Sequence, residues 1–70
     1  VKVSETVAFS AAVYCEMVDR ISAYLSERGE ITVADVRDMF GTSRKYALSL
    51  MDYMDKQRIT RRIGDARVLR

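Results

Sequence analysis

The chain has 70 residues, with 12 basic side chains against 10 acidic ones, no His and a single Cys. That length holds one hydrophobic core, and that inventory lacks the usual general base, any disulfide and any Cys/His zinc set. A hydrophobic share of 49% without Pro excludes disordered and collagen-like chains, and no apolar run nears the ~18 residues of a membrane span. What remains is a binding module, expected to need no cofactor, no metal and no membrane. The lack of a disulfide framework points to a reducing, cytoplasmic setting. No basic-then-apolar leader follows Val1, and the chain reads as a piece of something longer.

Residues 1–9 alternate loosely, with Val1, Val3, Val7 and Phe9 around Ser4-Glu5-Thr6, and predict one or two short strands. They are expected to end a preceding domain or to link to it, with the domain proper over residues 10–70. Ser10 is an N-cap candidate. Tyr14, Val18, Ile21 and Leu25 then recur at helical spacing, widened by Val13, Met17 and Tyr24, which predicts a helix over about 11–28. Cys15, with no cation beside it, reads as a small core residue. Gly29 suits a left-handed stop.

Glu30-Ile31-Thr32 is a short extended link, and Thr32 with Asp35 has capping-box spacing. Val33, Val36, Met39 and Phe40 give a second, short helix its buried side, and Gly41 ends it. Thr42 or Ser43 caps a third helix that buries Ala47, Leu48, Leu50, Met51 and Met54 and runs to about Gln57. Two helices joined by a short Gly-containing turn form a helix-turn-helix. Residues 59–63 and 67–69, joined through Gly64-Asp65-Ala66, predict a β-hairpin. The fold expected is mainly α with a small β-hairpin, a winged helix. One detail resists it: alternation puts Arg61 on the side of Ile59 and Ile63, so either Ile59 belongs to the turn or Arg61 lies at the edge.

Charge is divided along the chain. Residues 1–35 carry three basic and six acidic side chains, and residues 36–70 carry nine and four. Seven of those nine are Arg, whose planar fork suits phosphates and base edges. Ser43, Arg44 and Lys45 fall on the first turn of the third helix, where free amides and the helix dipole already favour an anion. Cations there oppose the dipole, which points to a use beyond solvation. Arg58, Arg61, Arg62, Arg67 and Arg70 form a second basic group on or beside the wing, offset in part by Asp55 and Asp65. Tyr46 and Tyr53 offer stacking surfaces, although packing is the commoner role of helical aromatics, and the four Met residues read as core fillers.

The solvent side of the third helix contains Lys45, Ser49, Asp52 and Lys56. Asp52 meets phosphates badly, which disfavours deep insertion into a DNA groove. A grip by the helix tip and the wing suits a looped RNA with splayed bases better. A dimeric DNA-binding transcriptional regulator and a protein-interaction winged helix remain the alternatives.

From Arg37-Asp38 onward the residues become specific. Gly41-Thr42-Ser43-Arg44-Lys45-Tyr46-Ala47, Leu50, Asp55, Thr60-Arg61-Arg62, Gly64 and Arg67-Val68-Leu69 together resemble the last winged-helix domain of the bacterial selenocysteine-specific elongation factors, the SelB family. The resemblance covers about residues 23–70 well and the rest in outline. It implies binding of an mRNA hairpin, the selenocysteine insertion element beside a UGA codon. The intact factor, a GTPase through parts absent here, would carry selenocysteinyl-tRNA to the ribosome. It further implies that Ser43, Arg44 and Lys45 contact the hairpin, helped by Arg61, Arg62 and Arg67 from the wing. Arg37 would reach the same phosphates or brace the turn. A monomer is expected.

Overall fold

A computed structural model describes all of residues 1–70. Helix α1 spans Ala11–Arg28, strand β1 Ile31–Thr32, helix α2 Val33–Phe40 and helix α3 Arg44–Lys56, followed by β2 Thr60–Ile63 and β3 Ala66–Leu69. β1 is more than a link. It pairs antiparallel with β3, giving a three-stranded sheet of order β1-β3-β2. Three helices and a wing over this small sheet make a winged-helix fold.

Local chemistry sets the helix ends. Ser10 is extended and its hydroxyl accepts from the Val13 amide at 3.1 Å, opening α1. The Thr32 hydroxyl accepts from the Asp35 amide at 3.2 Å while Asp35 Oδ2 accepts from the Thr32 amide at 3.0 Å, a complete capping box for α2. Gly29 and Gly41 end α1 and α2 in the left-handed conformation, each donating its amide back into the helix. Every one of these signals is local in sequence.

The core lies between the helices and the sheet. Ala47, Leu50, Met51 and Met54 of α3 and Val33 and Val36 of α2 meet Met17, Ile21 and Leu25 of α1, with Ile31 from β1. Val3 and Val7 join the same cluster, because residues 1–9 turn back on themselves: the Val3 amide donates to Val7 O and the Phe9 amide to Val1 O. Tyr14 and Tyr53 meet edge to face at 5.6 Å. Burial there, then the neighbouring Tyr53 and Cys15, raise the Tyr14 hydroxyl above its ordinary pKa.

Several side chains face differently from expectation. The buried line of α1 runs through Met17 rather than Val18, which is half-buried, and Val13 is exposed. Cys15 is exposed rather than in the core, since it sits two residues, roughly 200°, around the helix from Met17. Met39 and Phe40 are only half-buried. Leu48 is exposed, because it follows Ala47 by roughly 100° and so leaves the core row. Tyr53 packs, but Tyr46 is exposed beside the 6–9 segment. Ile59 precedes β2 and belongs to the turn, which leaves Arg61 on the solvent face beside an exposed Ile63.

The end of α3 carries the one non-glycine residue with positive φ, Arg58 at 62°. Its amide donates to Asp55 O at 3.1 Å and the Ile59 amide to Met54 O at 3.0 Å, the two reversed bonds of a Schellman ending. This ending turns the chain sharply into β2, and it favours Gly at position 58. Relief of left-handed strain, less the extra freedom of an unfolded Gly, predicts that Arg58→Gly stabilises the domain by about 0.5–1 kcal/mol. Thermal unfolding checks this, and an unchanged or lower midpoint would contradict it.

Candidate nucleic-acid interface

The side chains of the wing alternate between two faces, and the register fixes which go where. Thr60 pairs with Leu69 and Arg62 with Arg67 on the face toward the helices, while Arg61 pairs with Val68 and Ile63 with Ala66 on the outer face. Adjacent arginines in β2 therefore diverge. Arg62 points toward α3, with its Nε donating to Gly64 O at 2.9 Å across the wing tip. Arg61 points away from it.

Arg67 lies inward, 2% exposed, in the centre of the sheet. Its Nε donates to Asp55 Oδ2 at 3.0 Å and its Nη2 to Asp52 Oδ1 at 2.8 Å. Asp55 Oδ1 in turn accepts from the buried Thr60 hydroxyl at 2.6 Å. No buried side-chain polar atom lacks a partner. The resemblance implies a direct ligand contact for Arg67; in the structure its guanidinium is held by two carboxylates, and the residue borders the cleft between α3 and the wing while staying almost wholly buried. Its work is to fix the wing against α3.

Between α3, the start of α2 and the wing tip lies a cleft of about 510 Å³. Arg44, Leu48 and Asp52 line it from one face of α3, each four residues from the next, and Arg62, Asp65 and the largely buried Arg67 line it from the wing. Val33 and Ala34 contribute an apolar patch. Arg44 is exposed and makes no ion pair within the chain. Arg62 likewise keeps its charge unpaired. The cleft thus carries two available guanidiniums on opposite walls, with Leu48 and Asp52 along its α3 wall.

The other expected site residues fall around this cleft at different distances. Ser43 is the N-cap of α3, its hydroxyl accepting from the Tyr46 amide at 3.3 Å. The cap leaves the first amides of α3, on Arg44 and Lys45, facing outward, beside two exposed cations. Lys45 shares this turn but is not part of the lining. Arg37 sits one turn beyond Ala34 on α2, and its Nε is held by the adjacent Asp38 at 3.2 Å, an exposed and weak pair. Leu48 and Asp52 are the α3 residues of the cleft that sequence reasoning did not assign to a site. Counting by fours from Arg44 is the signal that finds them.

No metal-binding group of three or more His, Cys, Asp or Glu side chains is present, and no helix is long and apolar enough to cross a membrane.

Comparison with known proteins places this geometry. Residues 23–69 match the model of the winged helix of elongation factor SelB. The selenocysteine-specific elongation factor of Desulfomicrobium baculatum is 34% identical over 70 residues, all of this chain and 11% of that protein. That of Haemophilus influenzae is 33% identical over 57 residues, 81% of this chain and 9% of that protein. The chain therefore spans about a tenth of these relatives. A structure of the mRNA-binding domain of elongation factor SelB from E. coli in complex with SECIS RNA superimposes with a TM-score of 0.91 at 28% identity, covering 100% of this chain and 58% of that one.

The buried ion group makes a direct prediction about stability. Arg67→Ala leaves the carboxylates of Asp52 and Asp55 without their cation, Asp55 keeping only the Thr60 hydroxyl, and should cost about 3 kcal/mol, a large share of what holds a domain this size together. Arg67→Lys should recover little, because an ammonium cannot reproduce the two-pronged geometry. Urea denaturation reads both variants, and a loss under about 0.5 kcal/mol for Arg67→Ala would contradict the assignment.

Proposed function

Because the chain belongs to the winged-helix family of elongation factor SelB, we propose that it binds an mRNA hairpin, the selenocysteine insertion element, and tethers the intact factor there during UGA recoding. The observation that carries this reading is the cleft with Arg44 and Arg62 on its two walls, on a fold that superimposes throughout on a domain bound to SECIS RNA. In the intact factor, the ribosome and selenocysteinyl-tRNA would be the further partners, in the cytoplasm. This domain would act as a monomer without catalysis. Residues 1–9 would be the end of the preceding winged helix and its linker, folded back so that Val3 and Val7 cap this core.

The mechanism is electrostatic and geometric. Arg44 and Lys45, with the free amides of the first turn of α3, would receive backbone phosphates. The partial positive charge of the helix end adds to two full ones, so several donors converge, with Asp52 and Asp65 the carboxylates of the cleft. Arg62, anchored by its bond to Gly64 O, would grip the strand on the opposite wall. Ser43 keeps its hydroxyl proton free to donate while its oxygen caps the helix. Arg61, on the outer sheet face, and Arg37, beside Asp38, would act at longer range by steering.

The exposed face of α3 favours RNA over duplex DNA. A helix lying deep in a major groove places successive polar side chains against base edges. Here the two residues that follow Arg44 on that face are Leu48 and Asp52. A looped single strand, with unstacked bases, meets an apolar and acidic floor more readily.

Binding of the hairpin should fall with salt with a log–log slope near −3, for about four or five phosphates in a flexible loop. The double variant Arg44→Ala, Lys45→Ala should weaken binding by about 30-fold or more and flatten the slope by about 1–2. Fluorescence anisotropy between 50 and 300 mM salt (about the useful range) measures both. Full affinity of the double variant, with an unchanged slope, would remove the helix tip from the site.

A further inference from the structure

Each wall of the cleft holds a cation and an anion that do not pair with each other. On α3, Arg44 and Asp52 stand about 12 Å apart along the helix, with Leu48 between them. On the wing, Arg62 and Asp65 stand on either side of Gly64, whose carbonyl accepts from Arg62 Nε at 2.9 Å. Arg44, Arg62 and Asp65 make no ion pair within the chain. Asp52 Oδ1 accepts from Arg67 Nη2 at 2.8 Å, but Oδ2 stays free on a side chain that is 53% exposed. Arg67 is already met by Asp55 at 3.0 Å, so Asp52 is one negative charge more than the buried guanidinium requires.

Free carboxylate oxygens are adverse to any phosphate brought close to them. A base-paired stem meets that penalty most, because it carries two phosphate chains, with about twice the charge density of a single strand. Its regular backbone cannot choose where its charges fall. With one phosphate seated on Arg44, a helical strand laid along α3 brings others past Asp52. Its complement then faces the wing, where Asp65 stands beside Arg62. A loop has one bent backbone and unpaired bases without charge. It can rest its phosphates on the two guanidiniums and turn neutral surface to Leu48, Val33, Ala34 and the carboxylates.

We propose that Asp52 and Asp65 are specificity-determining residues that act by repulsion, keeping base-paired nucleic acid out of the cleft so that the protein settles on a loop. They add nothing to the attraction for the right partner. Their contribution is the charge clash they impose on the wrong one, which widens the difference between the two affinities. The proposal rests on the reading of the chain as an RNA-hairpin module.

The test uses the intact protein and two RNAs, a hairpin from a UGA-containing selenoprotein messenger and the same stem as a duplex without its loop. Asp52→Asn keeps an oxygen for Arg67 Nη2, and Asp65→Asn removes no ion pair. The double variant should bind the loopless duplex about 5–10-fold more tightly than wild type at low salt, and the hairpin within about twofold. Screening should erase most of that gain by about 300 mM salt. Asp65→Asn alone should give about 2–3-fold, which keeps the result independent of any loosening of the wing at Asp52. Asp19→Asn makes an equal change of net charge on the exposed surface of α1 and should leave duplex binding within about 1.5-fold. A double variant that binds the duplex no better than Asp19→Asn does would overturn the proposal, as would an equal gain for hairpin and duplex. In either case, salt-dependent hairpin binding by the wild type leaves the RNA-hairpin reading standing. Should the wild type bind no hairpin at all, both fall together.

Discussion

A single guanidinium beneath the wing holds the functional geometry in place. Arg67 connects the middle of the sheet to two successive turns of α3, through Asp52 and Asp55, and Thr60 completes the group from the neighbouring strand. Sealing a cation away from water is costly, and an apolar side chain would fill the same volume at least as well. What the apolar side chain would not do is orient anything. The forked, planar donor fixes the angle between wing and helix and sets the rotamer of Asp52, so the shape of the cleft follows from one residue on β3.

The same arrangement explains how a domain of net charge +2 presents a concentrated basic site. The arginines of the wing are not one cluster. Arg67 is neutralised inside against α3, Arg61 faces outward from the sheet, and Arg62 lies on the α3 side with its charge unpaired, where Arg44 stands across the cleft. Neutralising the central arginine removes the repulsion that three adjacent cations would suffer. It also concentrates the remaining positive charge on the two rims, where a phosphate chain would run. Of the six acidic side chains of residues 1–35, three lie on α1, and none of the six lines the cleft.

Features governed by neighbours in sequence were legible there. Ser10, Thr32 with Asp35, Ser43, and the glycines at 29 and 41 mark helix ends through contacts spanning four residues or fewer, so the element order and the turn between α2 and α3 follow from reading along the chain. Helical phase was less legible. Tyr14-Val18 and Met17 both keep step with Ile21 and Leu25, and only packing chooses between them; the same ambiguity hid the exposure of Leu48 and Cys15. Least legible was the ion group. Arg67 is 15 residues from Asp52 and 12 from Asp55, and pairing over that distance depends on where the wing folds. A run rich in arginine therefore suggested a shared contact surface, while the strand register divided it. Of the seven site residues expected, Arg44, Arg62 and Arg67 line the cleft, Arg67 with its guanidinium tied to Asp52 and Asp55, and Ser43 and Lys45 flank it. Arg37 and Arg61 lie farther off.

The central claim is that a buried arginine sets two exposed ones across the cleft proposed to bind RNA. The most direct measurement is the ¹⁵N–¹H spectrum of the arginine Nε groups during titration with a hairpin RNA. The account predicts an Arg67 signal that exchanges slowly with water before RNA is added and stays where it is. Those of Arg44 and Arg62 should begin in fast exchange, shift, and become protected as the complex forms. A rapidly exchanging Arg67 in the free protein, or RNA-induced shifts confined to the arginines of α1, would contradict it.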